Sequence, residues 1–276
     1  MTLYRGMDRA ALDAAYNNRA AVPTFPATSA ERAAISNEVR ARRRLHADLR
    51  YGNGARERLD FFPADKPNAP VFVFIHGGYW QASDKESHSF LAEGPLARGF
   101  SVALIEYTLA PEATMDQIVG EIDRAMGWLH AHVAELGGDP QRIFLSGHSA
   151  GGHLTAMMFG RHPMAGALPI SGLFDLEPIS LCYLNDLLRL DTPMAARNSP
   201  QLHLPARCPP IVVTVGAAEL PELYRQSEEY AAALDAIDAP VQWLPLSGHE
   251  HFSILSELER PDGLLCEALV RLAQSA

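Results

Sequence analysis

The sequence predicts an α/β fold: a mostly parallel, twisted sheet with helices on both faces. Two patterns carry this prediction. Short, continuous apolar runs suited to strands buried on both faces recur along the chain, the clearest being Val71-Phe72-Val73-Phe74-Ile75. Between and after them lie longer amphipathic stretches, often rich in Ala, with helical spacing. Strands alternating with helices bury their apolar faces best as a parallel sheet covered on both sides.

The elements follow in order. Residues 8–18 and 29–44 carry helical spacing and many Ala, Arg and Glu residues. Between them, Val22-Pro23-Thr24-Phe25-Pro26 interrupts the helix, because proline lacks the N–H donor and fixes φ. This part has too few large apolar residues to bury a core alone. Residues 1–45 are therefore read as a helical cap segment over a core spanning 46–276, within one domain. Strands are predicted at 46–51 and 57–62, bracketing the turn Gly52-Asn53-Gly54. A polar, proline-rich connection follows at 63–70. Further strands are predicted at 71–75, 101–105, 142–145, 166–170, 211–215 and 241–244. Helices are predicted at 87–98, 116–135, 150–160, 221–237 and 263–274. Ligands of such sheets bind where loops leave the carboxyl ends of the strands.

Composition bounds the function. The chain of 276 residues carries a net charge of −10, which argues against a nucleic-acid partner, since polyanion binding leans on clustered Lys and Arg. The local cluster Arg40, Arg42, Arg43 and Arg44 reads as a solvated helix face. Cys182, Cys208 and Cys266 are scattered and odd in number, unlike a disulfide framework. No signal-peptide run and no membrane span is evident, so the cytoplasm is the expected compartment. A monomer and a homodimer both remain open.

Three loops carry chemistry. The first is Leu145-Ser146-Gly147-His148-Ser149-Ala150-Gly151, where an apolar strand runs through Gly-x-Ser-x-Gly into a helix. A sharp strand-to-helix turn projects Ser149 above the sheet, small flanking residues admit neighbouring backbone, and the helix N-terminus favours developing negative charge. About one random chain of this length in ten contains the bare pattern, so the strand-to-helix context is what makes Ser149 a candidate nucleophile. The second loop, His76-Gly77-Gly78-Tyr79-Trp80, follows the most apolar strand. Its glycines can turn N–H groups toward a substrate carbonyl, so Gly77, Gly78 and Ala150 are the expected oxyanion donors.

The third constellation is an acid and a base. Glu219 follows the strand at 211–215, and His249 and His251 follow the strand at 241–244. The order Ser, acid, His is the one the α/β-hydrolase fold uses. Glu222 competes with Glu219, which is preferred as closer to the strand end. His249 competes with His251. A zinc site built from His76, His148, His153, His249 and His251 is the other sharp reading. It is disfavoured because no His-Glu-x-x-His run or metal-ligand spacing is present. No metal and no cofactor is expected.

The runs His76-Gly77-Gly78-Tyr79-Trp80 and Gly147-His148-Ser149-Ala150-Gly151 resemble the kynurenine formamidase (arylformamidase) branch of the α/β-hydrolases, which is related to the hormone-sensitive-lipase-like carboxylesterases. The resemblance extends through Tyr107-Thr108-Leu109-Ala110-Pro111-Glu112, Ile170 to Leu176, Glu219 to Ser227 and His251-Phe252. It implies a triad of Ser149, Glu219 and His251. Lipase-like esterases usually carry a third glycine at the position of Tyr79 and Asp at that of His148; eukaryotic formamidases usually carry Asp where Glu219 stands. The implied activity is a serine hydrolase acting on small carboxylic esters or N-formyl and aryl amides through an acyl-enzyme. General carboxylesterase activity is one alternative, a catalytically silent binding protein another, and a metal-dependent amidohydrolase a third. Tyr79, Trp80, His148 and Phe174 are candidate substrate-binding residues. The stretch 171–190 is expected to join the N-terminal helices in a lid.

Overall fold

The computed structural model describes residues 2–275. Eight strands form one sheet: β1 (His46–Arg50), β2 (Arg58–Phe62), β3 (Ala69–Ile75), β4 (Ser101–Ile105), β5 (Gly138–His148), β6 (Gly166–Ile170), β7 (Ile211–Gly216) and β8 (Val241–Leu246). Their spatial order is β1-β2-β4-β3-β5-β6-β7-β8. The pairs β1/β2 and β2/β4 are antiparallel, and every other neighbouring pair is parallel. This is the α/β-hydrolase architecture.

The apolar runs are continuous because both faces of the sheet are covered. Along β3, Val71, Val73 and Ile75 enter one core, while Phe72 and Phe74 enter the other. The same alternation places Ile143 and Leu145 of β5 on the first face and Phe144 on the second. The helix Met115–His132 packs Ile118, Ile122, Met126 and Leu129 onto the first face. Thr114 caps it, with a reciprocal capping box to Gln117. On the second face, the helix Leu264–Ser275 buries Leu265, Leu269 and Leu272.

Three predicted helices take a different form. The stretch 87–98 is a 3-10 helix, Glu86–Ala92, followed by a short α-helix, Glu93–Ala97. Pro95 explains the break: it has no N–H, and an α-helix through it would drive its ring into the carbonyl of Leu91. In the N-terminal segment, α1 (Arg9–Ala15), α2 (Asn18–Ala21) and α3 (Phe25–Arg42) replace two predicted helices. Pro26 stands in the first turn of α3, where a missing donor costs nothing, so α3 starts earlier than predicted. Among the described residues no helix is long and apolar enough to cross a membrane.

The sheet places β3 beside β5, so the loops leaving both strands emerge together. Their approach is backbone against backbone. A Cβ on Gly151 would lie 2.0 Å from the Ile75 carbonyl oxygen, and one on Gly147 would lie 2.2 Å from the carbonyl oxygen of Gly151. We expect Gly151→Ala to lower stability by at least about 2 kcal/mol, because rigid backbone must move to admit the methyl group. A lowered urea midpoint at unchanged slope is the expected reading. An unchanged midpoint would show that the strand ends yield freely.

Candidate active site

β5 ends at His148, and the chain turns at Ser149 into the helix Ala150–Met157. Ser149 has φ 57° and ψ −117°, a sparsely populated conformation for a residue with a Cβ, costing of order 1–3 kcal/mol. The surroundings hold it there. Its N–H donates to the Ile170 carbonyl at 2.8 Å, and its own carbonyl accepts the N–H of His153 at 3.1 Å. Ser149 has little exposed surface, yet it lines a cavity of about 490 Å³.

Glu219 and His251 meet at the same cavity, which His251 also lines. The Glu219 Oε2 accepts from His251 Nδ1 at 2.6 Å. Its Oε1 accepts from the Ser171 hydroxyl at 2.5 Å and from the Gly216 N–H at 2.9 Å. The carboxylate is fully enclosed and both oxygens are occupied. With the Nδ1 proton committed to Glu219, Nε2 of His251 is the ring nitrogen left to take a proton. The His251 backbone is pinned as well, since its carbonyl accepts from His148 Nε2 at 2.7 Å.

The competing residues point elsewhere. Glu222 accepts from both Arg225, at 2.6 and 3.0 Å, and the Tyr16 hydroxyl at 3.0 Å. His249 lies 3.4 Å from Glu257. The other histidines of the rim are engaged separately: His76 with Glu106 at 3.0 Å and His153 with the Asn198 carbonyl at 2.7 Å.

The loop after β3 needs glycine at two positions. A Cβ on Gly77 would stand 2.8 Å from the His148 carbonyl oxygen and 3.1 Å from Ser149 Cβ. Gly78 has φ +109°, and a Cβ there would meet the Ala82 carbonyl oxygen at 2.2 Å. Among the described residues no acceptor takes up the N–H of Gly77, Gly78 or Ala150. His76 orients this loop: its Nδ1 donates to the Gly77 carbonyl at 2.8 Å. In a trans peptide the N–H opposes the C=O, so fixing the Gly77 carbonyl aims the Gly78 N–H the other way.

Glu106, which the sequence reading did not single out, anchors His76 in turn. This enclosed carboxylate also accepts the backbone N–H of Lys85 at 3.1 Å and a guanidinium proton of Arg56 at 2.5 Å. Burial alone would raise its pKa, but the His76 hydrogen bond, the nearby positive charges and the Lys85 N–H together hold it below the usual carboxylate value. Its signal in the sequence is a charged residue set directly after the buried strand β4.

The cavity walls come from both ends of the chain. Asn18, Phe25 and Arg32 of the N-terminal helices face Tyr183, Leu184 and Leu187 of the stretch after β6. Of the four candidate substrate-binding residues, Tyr79 and His148 line the cavity. Trp80 and Phe174 do not. Trp80 is fully enclosed in the core, edge-on to His153 with ring centroids 5.0 Å apart. Phe174 stacks on Tyr230 at 4.1 Å and borders a separate cavity. The Phe174 N–H donates to Gln226 at 2.7 Å, which draws this segment over the helix Pro221–Asp235 and away from Ser149.

The chain is similar to known proteins. A family model described as BD-FAE matches residues 59–163. Kynurenine formamidase of Danio rerio is 30% identical, with 99% of each chain covered. The chain belongs to the kynurenine formamidase family. The Drosophila melanogaster kynurenine formamidase is 31% identical over 76% of this chain and 75% of its own. A solved Silicibacter sp. TM1040 protein superposes with a TM-score of 0.84 at 31% identity, covering 94% of this chain and 98% of that one. Like the esterases that share its architecture, this member of the kynurenine formamidase family is a hydrolase of ester or amide bonds.

Two histidines near Ser149 are held neutral by burial. Burial, and secondarily the charge of His251, push the His148 pKa well below its ordinary value. Burial lowers that of His153 from 6.5 to about 4, against a smaller opposing effect of the Asn198 carbonyl. As pH falls from 6.5 toward 4, the unfolded chain gains a proton at His153 that the folded chain refuses, so stability is lost on acidification. The His153 share approaches about 3 kcal/mol at the acid end. Urea unfolding across this window is expected to show a shallower pH slope for His153→Gln than for the wild type. Equal slopes would remove His153 from the account.

Proposed function

We propose that Ser149, His251 and Glu219 act as a catalytic triad that hydrolyses N-formylated aromatic amines of the N-formylkynurenine type, with small carboxylic esters as further substrates. The observation that carries this reading is the Glu219–His251 pair opening on the same cavity as the strained Ser149 turn.

In the first half-reaction His251 Nε2 removes the Ser149 hydroxyl proton as the oxygen attacks the scissile carbonyl. The negative charge on the tetrahedral intermediate is received by the N–H groups of Gly77, Gly78 and Ala150, each donor contributing about 3 kcal/mol. The imidazolium formed on His251 is stabilised by Glu219 and returns its proton to the leaving amine or alcohol. Water then attacks the acyl-serine with His251 again as base, releasing formate or another carboxylic acid and restoring Ser149. His148 stays neutral throughout, which spares the imidazolium a second positive charge beside it; the two rings lie 4.5 Å apart.

A formyl acyl group is the smallest possible, so most of the 490 Å³ serves the leaving group. Phe25, Phe90, Tyr79 and Tyr183 suit an aromatic one. The cap helices and the core work as one unit in this reading, because both supply walls. The three free cysteines support placing the reaction in the reducing cytoplasm.

Fluorophosphonate labelling is expected in the wild type and lost in Ser149→Ala, with kcat falling at least about 10³-fold. Glu219→Gln is expected to cut kcat by about 10²–10⁴-fold with a smaller change in KM, since it orients and stabilises His251 without touching substrate. Formate release from N-formylkynurenine, run beside short p-nitrophenyl esters, separates the two substrate classes. Ester turnover without deformylation would leave a carboxylesterase; persistent labelling of Ser149→Ala would end the nucleophile assignment.

A further inference from the structure

Arg32 lies on α3 and lines the cavity that holds Ser149. Its guanidinium rests over the Phe90 ring, 4.9 Å from the centroid. Among the described residues, no carboxylate stands within salt-bridge distance of it and no hydrogen bond engages it. Glu31, Glu250 and Glu259 act on it only from farther away. Three other partly enclosed arginines are paired: Arg40 with Asp60, Arg56 with Glu106, and Arg225 with Glu222. An enclosed cation without a partner is costly, so a site that keeps one has a use for it.

The charge faces inward. It is felt at both His88 and His148, two residues of the cavity wall. Among the described residues no Asp or Glu lines the cavity, although the chain as a whole carries a net charge of −10. A second arginine without a carboxylate partner, Arg19, lies at the mouth over Phe25, 5.4 Å from the ring. The cavity is thus a locally cationic pocket in an acidic protein.

We propose that Arg32 is a specificity-determining residue of this site, binding a carboxylate carried on the leaving-group side of an aryl substrate. The proposal rests on the hydrolase reading above, in which the acyl group is small and the leaving group fills the pocket. A planar guanidinium pairs with a carboxylate through two parallel hydrogen bonds, and the Phe90 ring beneath fixes its plane. Burial lowers the pKa of Arg32, consistent with a charge that gains from an incoming anion.

The test is calorimetric binding of two probes to the intact protein: β-benzoylpropionate and its primary amide, which are nearly the same shape, the amide lacking the charge and carrying N–H donors in place of one acceptor oxygen. The acid is expected to bind the wild type about tenfold more tightly than the amide. Arg32→Gln brings that ratio near one, and Arg32→Lys restores part of it. Added salt weakens the acid and spares the amide. Equal affinity of the two probes for the wild type, or an unchanged ratio in Arg32→Gln, overturns the proposal. If Arg32→Gln does not fold, Arg32→Lys and the salt series in the wild type decide. Formate release from N-formylkynurenine is assayed separately. Acid preference without turnover defeats the hydrolase reading and leaves Arg32 as an anion site; turnover without acid preference does the reverse.

Discussion

The ends of β3 and β5 meet with no side chain between them, and the site is arranged around that approach. The Ile75 carbonyl faces Gly151, Gly147 backs onto Gly151, and Gly77 sits against the His148 carbonyl. Parallel pairing of the two strands brings their carboxyl ends level, with Ile75 in register with Gly147. Only then do the turn at Ser149 and the loop at Gly77 and Gly78 face one volume of space. The left-handed φ of Ser149 is the strain this arrangement stores, and the bonds from Ser149 to Ile170 and His153 keep it from relaxing.

Hydrogen bonds to charged groups extend this order outward from the strand ends. Glu219 is gripped by Ser171 and Gly216, so the acid is set by the turns after β6 and β7 before His251 reaches it. Glu106 plays the matching part for the loop after β3, through His76. Neither carboxylate can be explained as a source of net stability, because desolvating an ion offsets most of what pairing returns. What they provide is a single geometry. A neutral side chain at Glu106 would leave Arg56 without its anion and His76 free to turn, releasing the Gly77 carbonyl. The loop would then have several conformations available to it where catalysis needs one.

The legible part of the sequence was the part ruled by local physics. Continuous apolar runs named the inner strands β3, β4, β6 and β7, since each alternates between two covered faces, and Gly-x-Ser-x-Gly after such a run located the turn. Ranking Glu219 above Glu222 needed only distance from the strand end. The illegible part depended on where side chains point in irregular backbone. Tyr79 and Trp80 are adjacent and both have positive φ, yet one lines the cavity and the other fills the core. Periodicity does not reach such residues. Phe174 was misplaced because its position is set by Gln226, which lies 52 residues away. The charge of Arg32 was invisible for a different reason. Its meaning lies in the lack of a partner, and partners in this protein are drawn from distant segments.

The N-terminal cap gains its place through Tyr16. The fully enclosed ring donates its hydroxyl proton to Glu222 and accepts from Gln226, both on the helix that follows Glu219. Its carbonyl accepts from the Tyr79 hydroxyl at 2.7 Å, and that hydroxyl accepts from Asn18 at 3.0 Å. One residue of the cap therefore joins the loop after β3 to the helix that follows Glu219. Burial raises the Tyr16 pKa far above its ordinary value, so the hydroxyl remains a donor at any pH the fold survives. A cap bound in this way cannot swing clear without breaking the Tyr16 bonds to Tyr79, Glu222 and Gln226. Its walls are accordingly part of the pocket's resting shape, and the residues it carries, Asn18 and Arg32 among them, line the cavity as directly as those that follow the strands.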